Sequence, residues 1–241
     1  MDVLIVGAGA VGRWVGETLD ATVAYADVER SAAESAAAQT PDAQAVDLAG
    51  SDTYDVVAVA VPMRAATSVI REQAPRATGG LIDVTGSMTG PLTAMAESAE
   101  ELERASFHPL FAPDHAPGRI AKSLGRGGPL VDRITRAFVS AGNTMVPVEA
   151  DVHDDAMATV QGRVHAAILA FGLAADPVPE DLATPVYEDL QALRERVTSG
   201  PSGVYADIQA TFDGARDIEA AVEKLADADR EEFLALYEDA G

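Results

Sequence analysis

Short apolar runs, each closed by glycine, proline or acid, recur through the first part of the chain. Val3 to Val6 is the first, and it ends in glycines. Thr22 to Ala26, Asp55 to Val61 (closed by Pro62) and Leu81 to Val84 follow. Between them, Ala10 to Leu19 carries apolar residues at helical spacing, and Arg30 to Ala38 is alanine-rich and helical. Strands of about four to seven residues alternating with helices predict a doubly wound α/β fold, with a parallel sheet covered on both faces. Residues from about Asp132 to Val148 add one more helix and strand.

After Val148 the pattern changes. Asp151 to Leu173 reads as one long helix, and Glu180 to Thr198, Tyr205 to Phe212 and Ala215 to Tyr237 also have helical spacing. No strand is predicted there. The chain therefore reads as an α/β domain over 1–149 and a small all-helical domain over 150–241. About ninety helical residues bury little surface alone, so the second domain is expected to pair with another copy in a homodimer.

The turn after the first run has its own chemistry. Gly7-Ala8-Gly9-Ala10-Val11-Gly12 ends a strand and opens a helix. Gly7 permits the tight turn, Gly9 lets backbone approach a pyrophosphate, and Gly12 lets helix and strand pack closely. The helix N-terminus, with Ala10 and Val11, then offers N–H groups to phosphate. This is a Rossmann-type dinucleotide signature. Asp27, 20 residues past Gly7 at the end of the second strand, suits the ribose 2′-hydroxyl of NAD and would repel a 2′-phosphate. NADP stays open, because nearby Arg30 could soften that rejection. Val61 and Pro62 end a strand on the ligand side; Pro62 also suits the first turn of a helix.

Charge narrows the partners. Acids outnumber bases 39 to 17, a net charge of −22, with no basic patch, so nucleic acid and anionic membranes are not expected ligands. There is no cysteine, which excludes disulfides, thiolate metal sites and a cysteine nucleophile. Only Lys122 and Lys224 are lysines, and acids are scattered through every segment. This bias resembles that of halophile proteins; an acidic protein from a GC-rich genome is the plainer alternative. The N-terminus lacks a basic region before its short apolar run, and Ala166 to Ala175 is far short of a membrane span, so a cytoplasmic protein is expected.

Four histidines remain as candidate chemistry. His108 lies in Ser106-Phe107-His108-Pro109-Leu110-Phe111-Ala112-Pro113, a strand running into a proline-stiffened loop at the sheet edge where ligands bind. A base for a hydroxyl proton fits it, and a capped loop histidine is the alternative. Ser87, after the strand ending in Asp83-Val84-Thr85-Gly86, could hold that imidazole. Along the helix after residue 150, Asp154, Ala158, Gln161 and His165 share one α-helical face, which suggests a lined cavity or a satisfied core histidine. His153 and His165 are 12 residues apart, about 18 Å along a straight helix, a poor spacing for a metal, and no metal is expected. His115, beside Asp114, reads as a solvated loop residue.

In this order, the glycine motif, Val59-Ala60-Val61-Pro62, Asp83-Val84-Thr85-Gly86-Ser87, Phe107 to Pro113, the His153…Gln161…His165 helix, and Tyr187 through Arg194 and Arg196 to Ile208 resemble the prephenate dehydrogenase family, which includes arogenate and cyclohexadienyl dehydrogenases. The resemblance implies NAD(P)-dependent oxidative decarboxylation in tyrosine biosynthesis, giving 4-hydroxyphenylpyruvate from prephenate. It implies that His108 accepts the ring hydroxyl's proton and Ser87 orients it. His165 and Arg196 would contact substrate carboxylates, and His153 and Gln161 would line or gate the site. The stretch between His108 and His153 is compressed for the family, and no motif separates prephenate from arogenate. Other Rossmann oxidoreductases with a helical second domain, and a non-catalytic NAD sensor, are the alternatives; the lysine that β-hydroxyacid dehydrogenases use has no counterpart in a suitable helix.

Overall fold

A computed structural model describes all residues, Met1–Gly241. The chain divides into two compact units, Met1–Asp154 and Asp155–Gly241.

The first unit is built on one eight-stranded sheet. Its strands are β1 (Asp2–Val6), β2 (Thr22–Ala26), β3 (Gln44–Ala45), β4 (Tyr54–Val59), β5 (Ala77–Asp83), β6 (Glu103–Pro109), β7 (Arg119–Arg126) and β8 (Thr144–Pro147). Their order is β3-β2-β1-β4-β5-β6-β7-β8. Strands β1 to β6 run parallel, β7 is antiparallel to β6, and β8 is parallel to β7. The sheet is therefore mostly parallel and Rossmann-like, with a reversed edge the hydrophobic pattern did not announce. The strand expected over Asp55–Val61 stops at Val59, where the Ala60 amide turns to the Val6 carbonyl at 2.7 Å.

Helices α1 (Ala10–Thr18), α2 (Arg30–Gln39), α3 (Met63–Gln73), α4 (Thr89–Ser98) and α5 (Pro129–Ser140) cover the sheet. Successive residues of β1 point to opposite faces, and both faces are dry. Val3 and Ile5 pack with Val15, Tyr25, Phe107 and Phe138. Leu4 and Val6 pack with Val57, Ile70, Leu81 and Met95. That double burial is why the strands read as unbroken apolar runs. On the first face Trp14 stacks on Phe138 at 5.2 Å, and Phe111, from the loop after β6, meets Trp14 edge-on at 5.5 Å. The proline-rich loop is thus tied down by an aromatic contact as well as by its prolines.

Helix α6 (Ala150–Met157) follows β8, and the division between the units falls inside it. The run expected as one long helix then passes through a π-helical stretch, Ala158–Arg163, before α7 (Val164–Ala174). The wider π turns shift the side-chain phase, so the α-helical spacing that put Asp154, Ala158, Gln161 and His165 on one face does not carry through. The second unit continues with α8 (Pro185–Thr198), α9 (Ser202–Phe212), α10 (Gly214–Asp227) and α11 (Arg230–Asp239). Helix α8 starts later than expected, at Pro185 in its first turn with Thr184 as cap. The expected helix Ala215–Tyr237 is two helices, because Asp229 and Glu232 form a capping box that starts α11 afresh. Gly162 and Gly214 let the π stretch and α10 touch: a Cβ on Gly214 would lie 2.1 Å from the Gly162 carbonyl carbon. No helix is long and apolar enough to cross a membrane.

Candidate active site

The glycine loop joins β1 to α1, where neighbouring β1 and β4 connect to opposite sides of the sheet. Gly7 has φ of +102°, and a Cβ there would sit 2.3 Å from the Ala60 carbonyl oxygen. A Cβ on Gly12 would lie 1.9 Å from the Gly7 carbonyl oxygen, so only glycine allows this packing. Gly9 is different: nothing lies within 4 Å of where its Cβ would be. It is also the N-cap of α1 and supplies no capping side chain, leaving the first amides of the helix turned to open space. That cradle fits a pyrophosphate. Val61 and Pro62 stand beside it, with Val61 Cγ1 3.2 Å from the Cβ position of Gly7.

Asp27, just past β2, accepts the Ala8 amide at 2.7 Å and the Glu29 amide at 2.9 Å. Its carboxylate is thereby fixed beside the glycine loop. Arg30 donates to Glu34 at 3.0 Å and to the Ala45 carbonyl at 3.3 Å.

The parallel strands β1, β4, β5 and β6 end on the same edge of the sheet. There β6 presents His108 and β5 presents Asp83, followed by Thr85 and half-buried Ser87. His108 is 7% exposed, and burial, then the neighbouring His153, push its pKa down to about 3, so the ring is neutral. Its Nδ1 lies 2.9 Å from Nε2 of His153, with the rings at 79°. His153, also buried, sets its Nδ1 2.8 Å from Oδ1 of Asp154. Asp154 in turn accepts the amides of Met88 at 2.9 Å and Thr89 at 3.0 Å, capping α4 from a distant part of the chain. Burial works to raise the Asp154 pKa, but the His153 bond and those two amides outweigh it and hold the carboxyl below its ordinary range.

Asp83 is a second buried carboxyl. It takes the Thr85 hydroxyl at 2.5 Å and the Thr85 amide at 3.0 Å on one oxygen. The other oxygen is sealed from water, with the buried Ser106 hydroxyl near the carboxyl. Burial pushes the Asp83 pKa up to about 7, against the opposing Thr85 and Ser106 groups.

The structure thus brings His108 and His153 into direct contact. Nδ1 of His108 faces His153, and the Ser87 carbonyl accepts the Thr85 hydroxyl at 3.1 Å. The sequence reading missed Asp154 as partner of His153 and Asp83 as a titrating group. The His153-Asp154 dipeptide was the available signal for the first.

In the second unit, His165 meets Tyr205 edge-on at 4.9 Å, its Nδ1 is buried without a partner, and burial lowers its pKa. Gln161 lies half-buried in the π stretch, where Gln209 donates to the neighbouring Gly162 carbonyl at 2.8 Å. Arg196 stands exposed in the last turn of α8. His115 is exposed beside Asp114.

A Rossmann-type sheet with a glycine cradle and a buried histidine at the same edge is an arrangement that suits a dinucleotide-dependent enzyme, and comparison with known proteins sharpens it. No family model matches the chain. It is 29% identical over 262 aligned positions to 4-amino-4-deoxyprephenate dehydrogenase of Streptomyces pristinaespiralis, covering 98% of this chain and 88% of that protein. It is 27% identical over 171 positions to a probable arogenate/prephenate dehydrogenase of Methanocaldococcus jannaschii, covering 64% of this chain and 38% of that one. In fold it matches prephenate dehydrogenase from A. aeolicus, solved in complex with hydroxyphenyl propionate and NAD+, with a TM-score of 0.72 over 100% of this chain and 96% of that chain at 13% identity. That last likeness shows the fold alone. Together the relatives support the prephenate/arogenate dehydrogenase family, and with it a dehydrogenase.

Proposed function

We propose that the chain catalyses the NAD-dependent oxidative decarboxylation of prephenate to 4-hydroxyphenylpyruvate. The observation that carries this reading is His108: a buried, neutral imidazole on the same sheet edge as the glycine cradle, where a base and a dinucleotide serve one substrate. Gly7, Gly9, Ala10, Val11, Gly12, Asp27, Val61 and Pro62 would hold the cofactor, which when bound supplies the hydride acceptor. His108 accepts the proton of the ring hydroxyl and Ser87 orients that hydroxyl. His165 and Arg196 contact the substrate carboxylates, with Arg196 offering the planar fork that suits a carboxylate. His153 and Gln161 line the site. Loss of carbon dioxide and aromatisation drive the reaction forward.

A second reading rests on the relative that covers nearly the whole chain. Its name specifies a substrate with an amino group in place of the ring hydroxyl. His108 could serve either substituent. One experiment tests both: purified protein is incubated with prephenate, arogenate or 4-amino-4-deoxyprephenate, with NAD or NADP, and followed at the nicotinamide absorbance. Turnover of prephenate with NAD at the highest kcat/KM is expected. Preference for either other substrate replaces the reading, and no turnover of any of the three overturns it.

A further inference from the structure

We infer that His153 and Asp154 are positioning residues that fix the tautomer of His108, placing its proton on Nδ1 and its basic lone pair on Nε2. The inference rests on the reading of His108 as the base, and adds a role for His153, which that reading leaves as lining, and for Asp154, which it does not use.

The line of contacts runs inward from helix α4. Two backbone amides, Met88 N and Thr89 N, can only donate, and both end on Asp154 at 2.9 and 3.0 Å. They hold Asp154 as an ionised carboxylate, an acceptor only. The 2.8 Å contact from Asp154 Oδ1 to His153 Nδ1 then requires a proton on that nitrogen. The neutral form of His153 has one N–H, so in that form, with Nδ1 protonated, its Nε2 is an acceptor. The 2.9 Å contact from His153 Nε2 to His108 Nδ1 therefore needs a proton on His108 Nδ1. The lone pair of neutral His108 falls on Nε2. With both rings neutral, the backbone amides at the far end set the donors and acceptors from Asp154 to His108 Nδ1.

The arrangement has a second consequence. When a hydroxyl proton binds Nε2, the His108 ring becomes cationic in a site that disfavours charge. The Nδ1–H bond shares that charge with His153, whose own Nδ1–H stays on the Asp154 carboxylate. No proton leaves the chain, and the negative counter-charge is already in place. The same logic governs the aspartate of a serine–histidine–aspartate triad, where it holds the imidazole in its working tautomer. Here the aspartate acts through an intervening histidine. Asp83 is the other titratable group close to Asp154, and its raised pKa of about 7 keeps a second negative charge away from the carboxylate at pH values below that.

The tautomers can be read directly, without substrate, from long-range proton–nitrogen correlation spectra of protein labelled with nitrogen-15 in histidine. Wild-type protein at neutral pH is expected to show the Nδ1–H, Nε2-acceptor pattern for both His108 and His153. His108 protonated on Nε2 in the wild type overturns the inference, whatever any variant does. Asp154→Asn is the complementary test. An asparagine amide can donate to His153 Nδ1, which turns His153 to the Nε2–H form and forces the His108 proton onto Nε2. The variant should therefore show the reversed pattern and lose about 10²–10⁴-fold in kcat, with KM changed less than about threefold. An unchanged tautomer pattern together with unchanged kcat overturns the inference. Full activity in His108→Asn would instead strike the base assignment, and the wild-type spectra would still decide the tautomer.

Discussion

Asp27 Oδ2 accepts the amide of Ala8 at 2.7 Å, so a single carboxylate joins the end of β2 to the glycine loop. On the proposed reading the same group would meet a ribose hydroxyl of the dinucleotide. Removing it should therefore act in two separable ways. Asp27→Asn keeps an acceptor for Ala8 and loses the charge; Asp27→Ala loses both. We expect both variants to relax discrimination against NADP, and the alanine variant, which loses the acceptors for both the Ala8 and Glu29 amides, to lose about 1 kcal/mol more stability than the asparagine variant, which loses one. Titration calorimetry with NAD and NADP, beside urea melts, checks this. Wild-type protein that binds NADP more tightly than NAD would refute the preference and turn attention to Arg30.

Two buried groups give stability opposite dependences on pH. Asp83, raised from 3.8 to about 7, keeps its proton in the folded chain after the unfolded chain has lost it. Its contribution is present below about pH 4 and lost as pH rises through about 7. His108, lowered from 6.5 to about 3, stays neutral in the fold while the unfolded chain takes up a proton. Its contribution is present above 6.5 and lost as pH falls toward about 3. Between about pH 4 and 6.5 the slopes oppose each other. Relative to wild type, Asp83→Asn should gain, and His108→Asn should lose, up to about 1.4 kcal/mol per unit of rising pH in that window. Urea melts at three pH values suffice, and three parallel curves would contradict the assignment of both groups.

The local pattern of the chain carried most of the first unit. Strands β1, β2, β4 and β5, the glycine turn and Asp27 were legible because sheet burial on two faces and the turn's steric demand act on neighbouring residues. Strand β7 was not legible: Arg119–Arg126 is largely polar and half exposed, and only pairing with β6 makes it a strand. Two-residue β3 left no periodic trace. The π stretch was hidden for a related reason, since Ala158–Arg163 has ordinary helix composition, and the helices that pack on it, α9 and α10, come about 40 residues or more later in the chain. His108 was legible as a candidate from its loop. Its partners were not, because His153 lies 45 residues away and Asp154 reaches back 66 residues to Met88.

The helical unit leaves large apolar side chains in solvent, including Leu182 and Val186 at 71% and Tyr237 at 72%. Val222, Leu225, Phe233 and Leu234 add to that surface on α10 and α11. A face of this kind fits an interface with a second copy of the chain. We expect a dimer by light scattering at micromolar concentration, and a monomer after Phe233→Glu combined with Leu234→Glu. A wild-type monomer would remove the idea.

Salt should matter to the same protein. A net charge of −22 is self-repelling, and at 1 M salt the screening length falls to about 3 Å. The melting temperature should rise steadily from 0.1 to 3 M KCl. A flat response would show that the acid excess is a matter of composition and not of salt adaptation.

His108 and Arg196 should fail in different ways. A base acts on the hydroxyl proton as the reaction proceeds, so its contribution is realised mainly in the transition state. His108→Asn should lower kcat by about 10²–10⁴-fold with little change in KM. Its effect on pH dependence follows from its depressed pKa. Protonation disables the base only near pH 3, so wild-type kcat/KM should show no limb from His108 between about pH 5 and 7. The variant should be slow throughout that range, with no limb displaced. On the proposed reading Arg196 would hold a carboxylate in ground and transition state alike. It is exposed on α8, and its loss should raise KM by about 10-fold or more while kcat falls less. NAD affinity should survive both changes, since neither residue contributes to the glycine cradle. A limb near pH 6.5 in wild type that vanishes in His108→Asn would keep His108 as the base but place it in a wetter site than the one described. Near wild-type kcat in the same variant would remove it from the chemistry and make His165 the next residue to test.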